Sequence, residues 1–321
     1  MWRAPSRADK FRDPVDDFSP DDQVDDPTSY VSAPAARKRV RVVEGRVAEV
    51  VREARDAVTL VLELEEPPEY QAGQFLTLDP HQFHDLEDLT AYLEDAKGRR
   101  EPPRAYSLSS SPLEPCVAIT VKEERYKRGS TPYPPLLSPY LVRRAARGQR
   151  VRVVGFTGAY VLPRDVEAKT DHLVHIVAGS GSVPNYAILK YALAVHPRLR
   201  QSFVYSNRTW EDVIFREGLA GLKARFPGRL HLLHALTREE GAGRHGPWVR
   251  QGRVGPELLR EAIPDPSSCL VYACGPAVGS AERARARERG EMPAPRFLEG
   301  VKEALLELGV PPGRVRTEAY G

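Results

Sequence analysis

Two hydrophobic rhythms divide this 321-residue chain, and they call for different kinds of layer. From Val40 to about Leu162 the apolar residues fall in short runs: VRVVEGRVAEVV, AVTLVLEL, QFLTL, RAYSLS, CVAITV and QRVRVV. Several alternate with period two, the mark of a half-buried strand, and Gly, Pro or charged clusters separate them. Six strands with no helical crossover between most of them predict a closed antiparallel barrel. Two segments interrupt it, His84–Lys97 with the spacing of an amphipathic helix and Leu141–Arg147, a helix opened by Ser138. Beyond a linker near Arg164–Asp171 the rhythm changes. Strands are expected at His172–Ala178, Ser202–Tyr205, Arg229–Ala235, Leu270–Cys274 and Arg314–Ala319, with helices at Tyr186–Val195, Glu211–Arg225, Glu257–Ala262 and Phe297–Leu308. Five strands separated by helices predict a parallel α/β sheet, which binds ligands at the carboxyl ends of its strands. The expected division is 1–36, 37–165 and 166–321, the last two matching the ~150 residues typical of a domain.

The first 36 residues carry 4 Lys/Arg and 8 Asp, a net of −4, with prolines interspersed. Such a stretch buries little and reads as a flexible acidic tail. The remainder carries a net of +7, which suits either an acidic partner or an ordinary solvated surface. No apolar run approaches the ~20 residues needed to cross a membrane. The N-terminus shows no apolar signal region, and three cysteines, Cys116, Cys269 and Cys274, are too few for a disulfide framework. A cytoplasmic protein that binds neither membrane nor nucleic acid is the expectation. The cysteine count also excludes a self-contained four-cysteine iron–sulfur cluster, and no metal site is expected.

Four segments carry chemistry. In Arg104-Ala-Tyr106-Ser107 the arginine can clamp a pyrophosphate, the tyrosine shares its strand face and can stack on a flat ring, and the hydroxyl can bond a ring nitrogen. Ser138-Pro139 has the residues of a sharp helix start, a phosphate-binding feature. Gly179-Ser-Gly181-Ser-Val-Pro184 lies between a strand and a helix, where glycines let backbone approach a pyrophosphate. Cys274-Gly275-Pro276 places a small thiol beside a turn at a strand end. Each segment has a plainer reading too: a surface arginine, a capped helix, a tight turn, a buried structural cysteine.

In this order and spacing the four segments resemble the ferredoxin–NADP(+) reductase superfamily over roughly residues 40–321. The resemblance implies an N-terminal FAD-binding β-barrel and a C-terminal nicotinamide-binding α/β domain. It implies that Arg104 and Ser138 hold the FAD pyrophosphate, that Tyr106 packs on the isoalloxazine, and that Ser107 lies near flavin N5. Val121-Lys122-Glu-Glu-Arg-Tyr126 is similar to the segment whose tyrosine stacks on the FAD adenine. Gly179, Gly181 and Pro184 resemble the nicotinamide-dinucleotide loop, and Cys274 and Gly275 the Cys-Gly pair beside the nicotinamide. Glu318-Ala-Tyr320 resembles the plant-type Glu-x-Tyr whose tyrosine covers the flavin. Ser107, Cys274, Glu318 and Tyr320 are thus the candidate catalytic residues.

For the 2′-phosphate that separates NADPH from NADH, Thr237-Arg238-Glu239 resembles the plant-type Ser-Arg-Glu. The expected lysine and tyrosine are Pro247 and Val249, so Arg244 or Arg250 would have to substitute, and NADPH is favoured over NADH with both left open. Arg208 is placed at the adenosine-ribose end. The implied function is hydride transfer from NAD(P)H to FAD, then single-electron transfer to a separate acidic ferredoxin or flavodoxin. The alternatives are a reductase of free flavin or quinone and a flavin-binding sensor. The sequence departs from the family pattern in the insert between Gly73 and Arg104, the charged insert near Ala281–Arg296, and Gly321 after Tyr320.

Overall fold

A computed structural model describes residues 42–66, 68–126 and 132–320. The acidic tail expected at 1–36 and Gly321 lie outside the described residues. The first half forms a six-stranded antiparallel sheet: β1 (Val42–Ala54), β2 (Ala57–Leu64), β3 (Phe75–Leu78), β4 (Arg104–Ser107), β5 (Val117–Lys122) and β6 (Arg150–Thr157), in the order β4-β3-β6-β1-β2-β5. An antiparallel bridge between Leu108 and Ile119 links the two edge strands, so the sheet curls back on itself. Inward residues at every second position, such as Val58, Leu60 and Leu62 or Leu76 and Leu78, fill its core.

The second half is a parallel sheet of six strands, not five: β7 (His172–Ala178), β8 (Arg200–Asn207), β9 (Leu230–Leu236), β10 (Val249–Gln251), β11 (Leu270–Gly275) and β12 (Val315–Ala319), ordered β10-β9-β8-β7-β11-β12. The unexpected member, β10, is three residues long and has two exposed side chains. So short an edge strand carries no readable period. The chain runs outward from β7 to β10 and then returns to place β11 on β7's other side. That reversal opens the crevice in which such sheets bind ligands. β7 is buried on both faces, as a central parallel strand must be.

The helices are α1 (Glu87–Lys97), α2 (Leu137–Arg144), α3 (Val166–Lys169), α4 (Ser182–Val195), α5 (Arg216–Arg225), α6 (Pro256–Ala262), α7 (Ser280–Glu288) and α8 (Phe297–Glu307). α3 falls inside the expected linker, α4 begins at Ser182 rather than Tyr186, and three more differ in kind. α2 starts before Ser138, whose hydroxyl makes no cap; it accepts from the Glu124 N–H at 3.1 Å. The helix expected over Glu211–Arg225 is broken by Phe215, which sits at φ 60° and stacks on Tyr186 at 4.1 Å. The charged insert holds α7, whose sequence SAERARARE lacks an apolar stripe.

One apolar core crosses between the halves. Ala54, Ala57, Ala72 and Tyr160 pack with α4 residues Ala187, Ile188 and Ala192. Polar contacts fix the same junction: Glu53 accepts from Thr59 Oγ1 at 2.7 Å and from the Phe215 N–H at 3.2 Å, and Tyr272 donates to the Val161 carbonyl at 2.8 Å. Gly73, at φ +97°, lies where a Cβ would stand 2.0 Å from the Tyr160 carbonyl oxygen and 2.9 Å from Ile188. Gly73→Ala is expected to cost about 3 kcal/mol, combining left-handed strain with overpacking. Urea unfolding checks this, and an unchanged midpoint would refute so tight a junction.

Candidate functional site

The last strand creates the site. β12 pairs in parallel with β11, setting Glu318 opposite Cys274 and Ala319 opposite Gly275. The Tyr320 N–H extends that ladder by donating to the Gly275 carbonyl at 2.9 Å. The chain is thereby carried past the carboxyl end of β11 to the barrel, where the Tyr320 hydroxyl donates to Ser107 Oγ. Ser107 ends β4, held in register by pairing with Phe75, while Tyr106 pairs with Leu76 and Arg104 with Leu78. Alternation puts Arg104 and Tyr106 on one face.

Between barrel and sheet lies a cleft of about 450 Å³, lined by Arg104, Tyr106, Ser107, Glu318 and Tyr320. This is within the usual range for small-molecule sites. The end of β5, Thr120–Glu124, and the entry to α2, Pro134–Ser138, complete the wall. The Ser138–Glu124 hydrogen bond ties these two segments together. Ser180 reaches the cleft from the turn Gly179–Gly181, at the carboxyl end of β7. That turn presses on β11: a Cβ on Gly181 would stand 2.2 Å from the Cys274 carbonyl oxygen. Gly179 takes φ +54°. Pro184 lies buried inside α4 and does not line the cleft.

Burial decides the protonation states. The Glu318 carboxyl is pushed up to about 7, and its Oε2 has no hydrogen-bond partner. Burial also holds the Tyr320 and Tyr106 phenols well above their usual range and raises the Cys274 thiol well above its ordinary value. Cys274 is fully buried, directly behind Glu318 in the ladder, and outside the cleft lining. It therefore stands as a neutral thiol. The accessible groups are a ring nitrogen's worth of hydroxyl partners at Ser107 and Tyr320, one proton-holding carboxyl, and cations at the far end.

That cationic end includes a residue the sequence reading missed. Lys97, last in α1, lines the cleft beside Arg104, and both are bonded to Glu101, which is 1% exposed. Nothing in the local pattern pointed to Lys97, because the turn after α1 creates the contact. Tyr126, by contrast, is half-exposed and does not line the cleft.

At the neighbouring strand ends, the Arg238 N–H donates to the Arg208 carbonyl at 2.8 Å, bringing two exposed arginines together. Thr237 Oγ1 donates to the Asn207 carbonyl at 3.2 Å. The two proposed substitutes are already engaged: Arg244 pairs with Glu239 at 2.5 Å, and Arg250 with Glu261 at 3.3 Å. Glu239 itself is consumed by the Trp210 N–H, Arg244 and His245.

Residues 176–280 match the family model of the oxidoreductase NAD-binding domain. The ferredoxin reductase component of 3-ketosteroid-9-alpha-monooxygenase from Mycolicibacterium smegmatis is 36% identical over 208 residues, 62% of this chain and 51% of that protein. The chain thus spans about half the length of that relative and 65% of the corresponding Mycobacterium tuberculosis protein, which is 29% identical. Among solved structures, the FAD/NAD-binding domain of a Vibrio cholerae nitric oxide dioxygenase superposes with a TM-score of 0.63 at 23% identity, covering 87% of this chain and 98% of that one. Ferredoxin–NADP+ reductase from Plasmodium falciparum gives 0.56 at 14% identity, covering 87% and 96%. Both likenesses are of fold.

The unpartnered Glu318 makes a pH prediction. Its folded value of about 7 exceeds the ordinary 4.5, so the native protein keeps a proton that the unfolded chain has lost. Stability of the ligand-free protein should therefore fall as pH rises from about 4.5 to 7 and level off above. Glu318→Gln should remove that decline and be the more stable protein at pH 7. Urea midpoints across pH 4 to 8 read it, and equal slopes in both proteins would contradict the assignment.

Proposed function

We propose that this chain, a member of the ferredoxin–NADP(+) reductase superfamily, is a flavoenzyme that takes a hydride from NAD(P)H and passes electrons singly to a separate carrier protein. Residues 37–165 are assigned to FAD and 166–321 to the nicotinamide nucleotide. The observation that carries the reading is the cleft itself: Arg104, Tyr106 and Ser107 on the barrel face Glu318 and Tyr320 on the last strand. The lining fits a flavin dinucleotide, with cations for a diphosphate, an aromatic face for a flat ring, hydroxyls for a ring nitrogen, and an orphaned buried carboxyl oxygen.

When bound, the flavin supplies the hydride and single-electron chemistry, leaving the protein to orient and tune. In this reading Arg104 and the α2 entry around Ser138 hold the diphosphate, and Tyr126 reaches the adenine. Tyr106 would offer an aromatic face to the flat ring, and Tyr320, whose hydroxyl donates to Ser107, would cover it where a nicotinamide has to approach. Glu318, pushed up to about 7 by burial, would hold a proton at the cleft wall up to neutral pH. Gly179, Gly181, Pro184 and Gly275 shape the nicotinamide crevice, and buried Cys274 backs it as a neutral thiol.

NADPH is the favoured donor. Arg208 and Arg238 stand together at adjacent strand ends with no ion pair to either side chain among the described residues, so their charge is available for a 2′-phosphate. The acceptor is an acidic ferredoxin or flavodoxin drawn by the basic body, in a cytoplasmic setting. The ferredoxin reductase components among the relatives support this choice. Electrostatics of this kind sets on-rate and orientation more than affinity.

Anaerobic rapid mixing of the FAD-loaded protein with NADPH and with NADH tests the reading. Bleaching of the flavin band, followed by ferredoxin-dependent cytochrome c reduction that falls as salt rises, is expected. A protein that cannot bind FAD, or whose flavin neither nucleotide reduces at a useful rate, would refute an electron-transfer role and favour a sensor. Arg238→Ala should raise the KM for NADPH roughly 10–150-fold, the worth of one charge-assisted hydrogen bond, and leave NADH nearly unchanged. Equal effects on both would move Arg238 to a structural role.

A further inference from the structure

We infer that the insert between β3 and β4 gives the cleft a second cationic contact, Lys97, for the diphosphate of the bound dinucleotide, with buried Glu101 setting Lys97 and Arg104 side by side. This rests on the flavin reading above and adds to it a residue outside the four sequence segments.

The insert is built rather than draped. Asp79 accepts from the His81 backbone N–H at 3.0 Å, and the His81 ring bridges Asp79 at 2.6 Å and Glu94 at 2.8 Å. Glu94 in turn accepts from the Glu101 N–H at 2.7 Å. Gly98, at φ +63°, ends α1 in the left-handed conformation and turns the chain so that Glu101 returns alongside the helix. Tyr133 closes the other side: its hydroxyl donates to the Ala96 carbonyl at 2.9 Å, and its ring lies 4.9 Å from Lys97 Nζ.

Glu101 is the centre of this arrangement. A carboxylate that is 1% exposed is costly unless paired. Here Lys97 bonds Oε1 and Arg104 bonds Oε2 at 2.8 Å. Two cations on one carboxylate leave this trio a net charge of +1; of the carboxylates that also line the cleft nearby, Glu123 is paired with Arg143 and Glu124 stands at the end of β5. The Lys97 side chain is only 15% exposed, and what is exposed faces the cleft it lines. An ammonium has three donors and a guanidinium five. Glu101, Tyr133 and the Pro102 carbonyl use only some of them. The spare donors on two adjacent cations suit a doubly charged diphosphate. The nearest other lysine in the lining, Lys122, is instead paired with Asp56 at 3.3 Å.

The test is flavin-fluorescence titration of the flavin-free protein with FAD and, separately, with riboflavin, which lacks phosphate. Lys97→Gln keeps a donor for Glu101 but removes the charge. It should weaken FAD binding about tenfold or more and flatten its dependence on salt, while riboflavin binding stays unchanged. Lys97→Arg should keep most of the FAD affinity. Undiminished FAD binding in Lys97→Gln would overturn the inference. So would equal losses of FAD and riboflavin, because a residue that merely shapes the wall affects both ligands alike. If the wild-type protein binds neither flavin, the flavin reading itself falls, and this inference with it.

Discussion

The parallel pairing of β12 with β11 is the interaction on which the cleft depends. Five residues of ladder fix Glu318 against Cys274 and aim Tyr320 at Ser107, which belongs to the other half of the molecule. A one-residue slip would turn every side chain of β12 to the opposite face. The register is therefore as much a part of the site as the side chains. On the far side of β11 the Gly181 turn presses close, where only a glycine clears the Cys274 carbonyl.

Two buried carboxyls show how the same residue type serves opposite ends. Glu101 meets two cations and acts as a scaffold for them. Glu318 lacks a partner at Oε2, so burial favours its protonated form, and it can hold a proton where the two halves meet. Local sequence does not distinguish them. What differs is the presence of cations from α1 and β4 around one and the lack of any hydrogen-bond partner at Oε2 of the other.

A second buried polar set lies beneath the Gly179–Gly181 turn. The His175 ring, fully buried, bonds Asn185 Oδ1 at 2.9 Å and Gln201 Oε1 at 3.0 Å, and Asn185 Nδ2 donates to the Tyr160 hydroxyl at 3.1 Å and to the Gly181 carbonyl at 3.3 Å. Buried polar networks of this kind bear on which packing a core adopts. This one connects β7, β8, α4 and the chain leaving the barrel. It holds the Gly179–Gly181 turn to the core that both halves share.

By itself, the sequence determined the two layers and their order, because side-chain period is a local property: two in the barrel runs, longer in the strand–helix alternation. It also placed Arg104-Ala-Tyr106-Ser107 on a strand and Gly179–Gly181 between a strand and a helix, but began that helix at Tyr186 where α4 begins at Ser182. It left out β10 and α7, which have too few apolar residues to show a period, and the break at Phe215, which the stacking of Tyr186 accompanies. It assigned Ser138 a capping role, whereas its hydroxyl accepts from the Glu124 amide and caps nothing. The tertiary structure alone decided which charges remain available. Arg244 and Arg250 read as free arginines in the sequence, yet Glu239 and Glu261 engage them, while Arg208 and Arg238 come together from separate strands. Lys97 joins Arg104 through a turn and a buried carboxylate. Charge pairing and burial depend on which distant segments fold together, and no local pattern encodes that.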